Sequence, residues 1–387
     1  MKVKRIFALL TAILLGLSFC VGIYAHPEGE TAVSISGSAI SAKSAILMNA
    51  EDGETYFQKN ADLRLGMAST TKIMTAIVAL KLSSPDRVIT VPAEAVGIEG
   101  SSVYLVEGEK LTLSELLSAL LLSSANDAAV AIAVSVSGSV DAFVDEMNRH
   151  AEDMGLCDTH FKNPHGLYDE EHYTTARELA MIAKEALASE TISSIVRMKK
   201  TTIPHDGIAD RRLLVNHNRL LSSYEGAIGM KTGFTKKTGR TLVSAAERDG
   251  LRLIAVTLDA PDDWQDHTLM LDYGFSNYQK ILFYGKEEFL YYIPLSDGSA
   301  DRVKITNSEP LSLTLKKGEH KRAELVESNR RFVLAPTAQG DYFGTLTLTA
   351  GEKSVSSPLI ITERHKANTK RKKGFFERIA TFFTLEQ

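Results

Sequence analysis

Cysteine is nearly missing from this sequence. Cys20 and Cys157 are the only two in 387 residues. The first lies inside an apolar leader, so a chain that loses the leader keeps one thiol and can form no internal disulfide. Cys157 is then expected to be a small, buried, apolar residue, since no partner histidine marks it as a nucleophile. Clusters of His, Cys and carboxylates at ligand spacing are also absent, which leaves no metal and no cofactor to expect. There is no internal repeat and no low-complexity segment. Charge of one sign is not in excess either: 44 Lys and Arg against 48 Asp and Glu give a formal net charge of −4. That balance gives no reason to propose nucleic acid as a partner. What is there is ordinary for a folded protein, 44% hydrophobic and 24% charged, in a length suited to one large domain and a smaller one.

The two ends differ from the rest. "MKVKRIFALLTAILLGLSFCVGIYA" has a basic start (Lys2, Lys4, Arg5), an apolar run and a small residue at Ala25. It reads as a signal peptide over residues 1–25, with an uncleaved membrane anchor as the competing reading, since the run approaches the ~20 residues that span a bilayer. Leu17-Ser18-Phe19-Cys20 resembles a lipoprotein acylation site, but Phe19 stands where a small residue belongs. At the other end, residues 363–387 hold a basic cluster (Lys366, Lys370–Lys373) and then Phe375, Phe376, Ile379, Phe382 and Phe383 on one helical face. This C-terminal amphipathic helix is too short to span but suited to lying in a membrane surface, with lysines at anionic headgroups. Docking on the protein's own β-rich part is the alternative. The two ends together predict an exported protein, peripherally attached to the outer face of the cytoplasmic membrane.

Between them, residues 26–284 read as an α+β domain. Two strands flank the Asp52-Gly53 turn in "SAILMNAEDGETYFQKN". Helices follow in "MASTTKIMTAIVALKLS", in "TLSELLSALLLSSANDAAVAIAVSVSG" with a break near Ser123–Asn126, in "VDAFVDEMNRHAEDMGL" and in "TTARELAMIAKEALAS". Strands return from Ala227 to Ala260. Strands at both ends with helices between predict an antiparallel sheet built from the two ends of the domain and covered by a helical cluster. Residues 285–362, with short alternating runs between Gly, Pro and Asn turns, predict a small all-β domain.

Three short patterns could carry chemistry. Ser69-Thr70-Thr71-Lys72 is the only Ser-x-x-Lys; it places a hydroxyl where a helix begins and an amine one turn on, on the same side. Taken alone, it is equally a capping serine beside a solvated lysine. Ser124-Ala125-Asn126 lies in the apolar "LLLSSANDAAV", where buried polar groups need partners. Either these residues face a cleft at a helix break, or Asn126 or Asp127 caps the next helix. Lys-Thr-Gly occurs twice. Lys231-Thr232-Gly233 continues a strand, and Gly233 there allows close approach of a ligand backbone. Lys237-Thr238-Gly239 falls in a hairpin turn, where a lysine points at water.

Ser-x-x-Lys, Ser-x-Asn and Lys-Thr-Gly in this order are the motif set of penicillin-binding proteins and serine β-lactamases. With "NPHGLYDEEHYTTARELA" and "GMKTGFTKKTGRTLVSAA", the chain resembles the low-molecular-mass D-alanyl-D-alanine carboxypeptidases over roughly Ala32 to Tyr284. The resemblance implies a β-lactamase/transpeptidase-like catalytic domain and penicillin-sensitive removal of the terminal D-alanine from peptidoglycan stem peptides. It implies Ser69 as nucleophile, Lys72 as its base and Ser124 as proton relay, with Lys231 keeping the field positive. Asn126 would hold the substrate's peptide group, and Thr232 would bind the terminal carboxylate with help from His217, Arg219 or Arg240. Gly233 and Phe234 complete the substrate-binding strand, the backbone N–H groups of Ser69 and Phe234 forming an oxyanion hole. The implied partners are a stem peptide ending in D-Ala-D-Ala, β-lactams as covalent inhibitors and the membrane surface. A class A β-lactamase fits less well, because Ala125 replaces the usual Asp and no Glu-x-x-Leu-Asn segment follows. A transpeptidase, an endopeptidase and a non-catalytic peptidoglycan-binding relative share the motifs, and a membrane-surface scaffold makes no use of them.

Overall fold

The structure, a computed structural model, describes residues 33–205, 211–317 and 331–367, together with the backbone of 324–326. The leader and the aromatic tail lie outside the described residues. Among those described, no single helix is long and apolar enough to cross a membrane.

Strands β1 (Ser44–Asn49) and β2 (Thr55–Lys59) form the expected hairpin, with Gly53 at φ 80° where a side chain would be strained. The chain then builds five main helices, α1 (Lys72–Leu82), α2 (Leu113–Leu122), α3 (Asn126–Ser137), α4 (Val140–Asp153) and α5 (Ala176–Ala188). It returns as β3 (Ala227–Thr235), β4 (Gly239–Arg248) and β5 (Leu251–Leu258), then α6 (Asp263–Asn277). The antiparallel sheet runs β2-β1-β5-β4-β3, so the ends of the domain meet where β1 pairs with β5.

Both faces of this sheet are covered, which is why "SAILMN" reads as a continuous apolar run rather than an alternating one. Ile46 and Met48 face the core made with α1 to α5, while Ala45 and Leu47 face Met270 and Leu271 of α6. The helix starts follow capping chemistry. Thr112 and Glu115 form a reciprocal capping box at α2, and Thr175 Oγ1 accepts from Glu178 N–H at α5. The break between α2 and α3 is set by Ser124, at φ 59°.

The β-rich part begins earlier than composition indicates. Strand β6 (Tyr278–Tyr284) precedes the change of character at 285, then β7 (Leu290–Ser296), β8 (Arg302–Asn307) and β9 (Leu311–Lys316) follow. β6 pairs with β9, so it shares a sheet with the later chain. The remaining strands are β10 (Glu324–Val326), β11 (Val333–Leu334), β12 (Tyr342–Ala350) and β13 (Lys353–Ile361), in a sheet of order β10-β12-β13-β8-β7-β11. The β1–β2 hairpin meets this part through Tyr56, stacked on Tyr278 at 3.7 Å, and through Glu51 and Glu54, paired with Lys280 and Lys353.

Cys157 departs from expectation: it is exposed. Gly155 turns the chain after α4 at φ 73°, and Leu156 takes the buried position, which swings the next residue outward.

Candidate active site

Residues Ala68–Thr71 form one 3-10 turn that leads into α1 and presents Ser69. Ala68 sits at φ 47°, a left-handed backbone that costs an L-residue roughly 1–2 kcal/mol. The surroundings hold it there. Met67 O accepts from Thr70 Oγ1 (2.5 Å) and Thr241 Oγ1 (3.0 Å), and Ala68 O accepts from Thr71 Oγ1 (2.7 Å). Two glycines let neighbouring segments close around the turn. A Cβ on Gly166 would lie 1.9 Å from Ala68 O, and one on Gly233 would lie 2.4 Å from Thr241 Oγ1 and 2.9 Å from Ser69 N. Gly233 is therefore required by the protein's own packing, whatever approaches from outside. Strain recurs at the other two motifs, with Ser124 at φ 59° and Met230, just before Lys231, at φ 99°.

Lys72 is fully buried, and its Nζ contacts Ser69 Oγ (3.0 Å), Asn126 Oδ1 (2.7 Å) and the His165 carbonyl (2.5 Å). Two of these partners can only accept. A neutral amine gives them its two N–H bonds and leaves its lone pair for the Ser69 hydroxyl. The neutral form is favoured, because burial first, and then the charge of Lys231, hold Lys72 well below the ordinary lysine range, with Asp127 opposing. Lys231, 1% exposed, donates to the Thr232 carbonyl (2.8 Å), and burial pushes it down to about 7.

Asn126, expected to hold the substrate's peptide group, is turned inward. Its Oδ1 accepts from Lys72, and its Nδ2 donates to Glu99 O at 2.6 Å, so both ends of the amide are engaged within the protein. Neither Asn126 nor Asp127 is the N-cap of α3, which is Ala125 without a side-chain cap. Asp127 lies in the first turn, and its carboxylate takes Ala128 N–H, Ser102 Oγ and the N–H groups of Val103 and Leu105, which fixes the loop that carries Ser102 to Leu105. Ser124 is buried, and its hydroxyl makes no hydrogen bond among the described residues.

Above these groups lies a cleft of about 320 Å³ lined by Ser69, Ser101, Ser124, Thr232, Gly233 and the exposed Phe234. His217, Arg219, Arg240, Asp263 and Trp264 close one end of it. Arg240 is committed to Asp263 through Nη2 (2.9 Å) and Nε (3.0 Å). His217 is held neutral by burial and then by Lys231. Arg219 has no carboxylate partner among the described residues; its guanidinium lies 5.9 Å from the Trp264 ring centre. One wall therefore carries an unbalanced positive charge beside the Thr232 strand, a place for an anion.

The structure thus brings Ser69, Lys72, Ser124, Asn126, Lys231, Thr232, Gly233 and Phe234 together. Sequence reasoning missed the histidines of the "NPHGLYDEEHY" loop. His165 supplies a carbonyl to Lys72, and His172 supports the Ser69 turn through Thr71. The signal that was available is Gly166, between His165 and Leu167 in a stretch with no helical or strand periodicity, since a glycine there allows close approach of backbones.

Residues 30–262 match the D-alanyl-D-alanine carboxypeptidase family, and residues 278–367 match the penicillin-binding protein 5 C-terminal domain. The chain belongs to the D-alanyl-D-alanine carboxypeptidase family. It is 34% identical over 378 residues to the D-alanyl-D-alanine carboxypeptidase DacF of Bacillus subtilis, covering 94% of this chain and 95% of that one. It is 31% identical over 344 residues to DacA of Escherichia coli, at 84% and 83% coverage. Penicillin-binding protein 5 from Haemophilus influenzae superposes with a TM-score of 0.65 at 26% identity, over 86% of this chain and 100% of that one. The Streptomyces K15 DD-transpeptidase gives 0.59 at 34% identity, over 62% and 100%.

Proposed function

We propose that the protein is a serine-type D-Ala-D-Ala carboxypeptidase that trims peptidoglycan stem peptides through an acyl-enzyme on Ser69. The observation that carries this reading is the Ser69–Lys72 contact, 3.0 Å between a half-buried hydroxyl and an amine whose other partners are acceptors. Ser69 Oγ attacks the carbonyl between the two terminal D-alanines as its proton passes to Lys72 Nζ. The N–H groups of Ser69 and Phe234 receive the developing oxyanion, a contribution often worth ~3–4 kcal/mol. Ser124, whose hydroxyl is free to rotate, passes a proton to the leaving amine. Water then cleaves the ester and releases the shortened peptide. Asn126 acts by fixing the Lys72 amine. Thr232 takes the substrate carboxylate beside the positive wall of the cleft. A β-lactam enters the same path and stops at the acyl-enzyme.

A transpeptidase would use the same residues. The relatives aligned over both the catalytic part and most of the β-rich part are named carboxypeptidases, which favours hydrolysis. Release of D-alanine from a synthetic peptide ending in D-Ala-D-Ala tests the reading, with Ser69→Ala as control. Release that vanishes in the variant is expected. Transfer to an added amino acceptor in place of release would move the assignment to a transpeptidase.

The location follows from the substrate, which lies outside the cytoplasm. We further propose removal of residues 1–25, a catalytic part from residue 26 to Asn277 at the end of α6, a β-rich part from Tyr278 to residue 362 and peripheral membrane attachment through 363–387. Deleting the chain from Lys366 onward should release the protein from membranes without loss of turnover. Retention on membranes would favour an N-terminal anchor.

A further inference from the structure

The turn that carries Ser69 is supported by a hydrogen-bond relay ending on a histidine that takes no step in the reaction. Lys162 N–H donates to His172 Nδ1 (3.0 Å), which leaves the proton of the neutral ring on Nε2. Nε2–H donates to Thr71 Oγ1 (2.7 Å), and Thr71 Oγ1–H donates to Ala68 O (2.7 Å). Every link runs in one direction, and no alternative assignment satisfies all three, because a backbone N–H only donates and a carbonyl only accepts. His172 and Thr71 are buried, and the edge of the ring meets Phe161 at 5.8 Å between centres. Burial keeps the ring neutral, at about 3, so the relay persists throughout the neutral range.

The end of the relay matters because of peptide planarity. Ala68 C=O and Ser69 N–H belong to one rigid trans unit and point in opposite directions. Fixing the carbonyl on Thr71 therefore fixes the N–H, whose nitrogen borders Gly233 at the floor of the cleft. Ala68 is in a left-handed conformation, so a released carbonyl gives this peptide a reason to rotate.

We propose that His172 is a positioning residue which, acting through Thr71, sets the direction of Ser69 N–H and with it the quality of the oxyanion site. This rests on the acyl-transfer reading above. Stopped-flow acylation of the full chain by a fluorescent penicillin separates binding (K) from the chemical step (k2). Thr71→Val removes the donor to Ala68 O; Thr71→Ser keeps it; His172→Phe keeps a ring but removes the Nε2–H. We expect Thr71→Val and His172→Phe each to lower k2 about tenfold with K unchanged, and Thr71→Ser to stay near wild type. The Thr71→Val, His172→Phe double variant should be no slower than Thr71→Val alone, since the histidine acts only through the threonine. If His172→Phe does not fold, His172→Asn serves, its oxygen still accepting from Lys162 N–H while its amide falls short of Thr71. Wild-type k2 in either folded single variant, a loss confined to K, or losses that multiply in the double variant would overturn the proposal. A wild-type protein that never acylates would instead overturn the functional reading.

Discussion

Lys-Thr-Gly is written twice within nine residues, and the two copies share composition but almost nothing else. In the first, Lys231 is buried and shifted to about 7, Thr232 lines the cleft, and Gly233 lies against Ser69 N. In the second, Lys237 is exposed with its Nζ 5.8 Å from the Tyr168 ring centre, and Thr238 closes the β3–β4 turn by hydrogen bonding to Thr235. Gly239 takes φ 70° to begin β4. The difference is made by position along one hairpin. The first copy lies where β3 crosses the Ser69 turn and both faces of the sheet are covered. The second lies at the tip, where Thr238 is the buried residue, its methyl filling the space a Cβ on Gly66 would need.

The sharpest test of that comparison is the lysine. Lys231→Ala should reduce D-alanine release by on the order of 10³-fold, the scale of losing a group that assists proton transfer and charge balance. Steady-state assay against wild type checks it, and a loss matched by Lys237→Ala would erase the distinction between the copies. The glycines come next. Gly233→Ala places a methyl 2.9 Å from the backbone nitrogen of Ser69, which cannot yield without moving the nucleophile. A fall in kcat of about 10²-fold is expected, the cost of a misplacement near 1 Å. Gly239→Ala meets the Asp259 side chain, with Oδ1 at 2.3 Å and Cγ at 3.2 Å, touches the Asp259 Cα at an ordinary 3.4 Å, and takes a left-handed backbone. It should leave kcat unchanged and lower stability by about 1–2 kcal/mol, read by urea denaturation.

Lys231→Met sharpens the contrast by separating activity from stability. The folded lysine titrates near 7 and the unfolded one near 10.5, so between those values the unfolded chain holds the extra proton. Stability contributed at this site therefore rises with pH across that window and is lowest below about 7. The methionine variant should be inactive yet more stable than wild type by about 1–2 kcal/mol at or below neutral pH. The gap should close as pH approaches the ordinary lysine range, as measured by denaturant midpoints at several pH values. A gap independent of pH would mean that Lys231 is charged in the folded protein throughout.

Much of this was legible in the sequence, for identifiable reasons. The Asp52-Gly53 hairpin, the break before Asn126 and the strand that carries Lys231 follow from local turn chemistry and apolar spacing. Ser69 and Lys72 are three residues apart on one helical turn, so their contact is local too. What could not be read depends on contacts distant in sequence. Lys72 meets the His165 carbonyl 93 residues away, and Thr71 meets His172 across 101 residues, from a loop with no periodicity to place it. Asn126 was legible as a buried polar residue, but its inward turn depends on Glu99, 27 residues earlier. The start of the β-rich part at Tyr278 was hidden because β6 follows α6 without a turn signal and finds its partner only at Leu311–Lys316. Cys157 misled because its residue type favours burial, while the turn at Gly155 gives that place to Leu156.

The smallest expected effect belongs to Lys237→Ala. The side chain makes one long cation–aromatic contact, to Tyr168, which is itself exposed. Such pairs at the surface contribute at most about 0.5–1 kcal/mol, and less in physiological salt. Lys237 belongs to the turn and does not line the cleft, so its charge acts on the substrate only through solvent. Turnover of a short D-Ala-D-Ala peptide by this variant should stay within about twofold of wild type. An anionic polymeric substrate offers a finer measurement, because a long chain leaving the cleft can pass over the hairpin tip. A loss seen with the polymer and absent with the short peptide would give the second copy a binding role of its own. Equal turnover of both substrates would leave it as a turn whose chemistry is spent on Thr238 and Gly239.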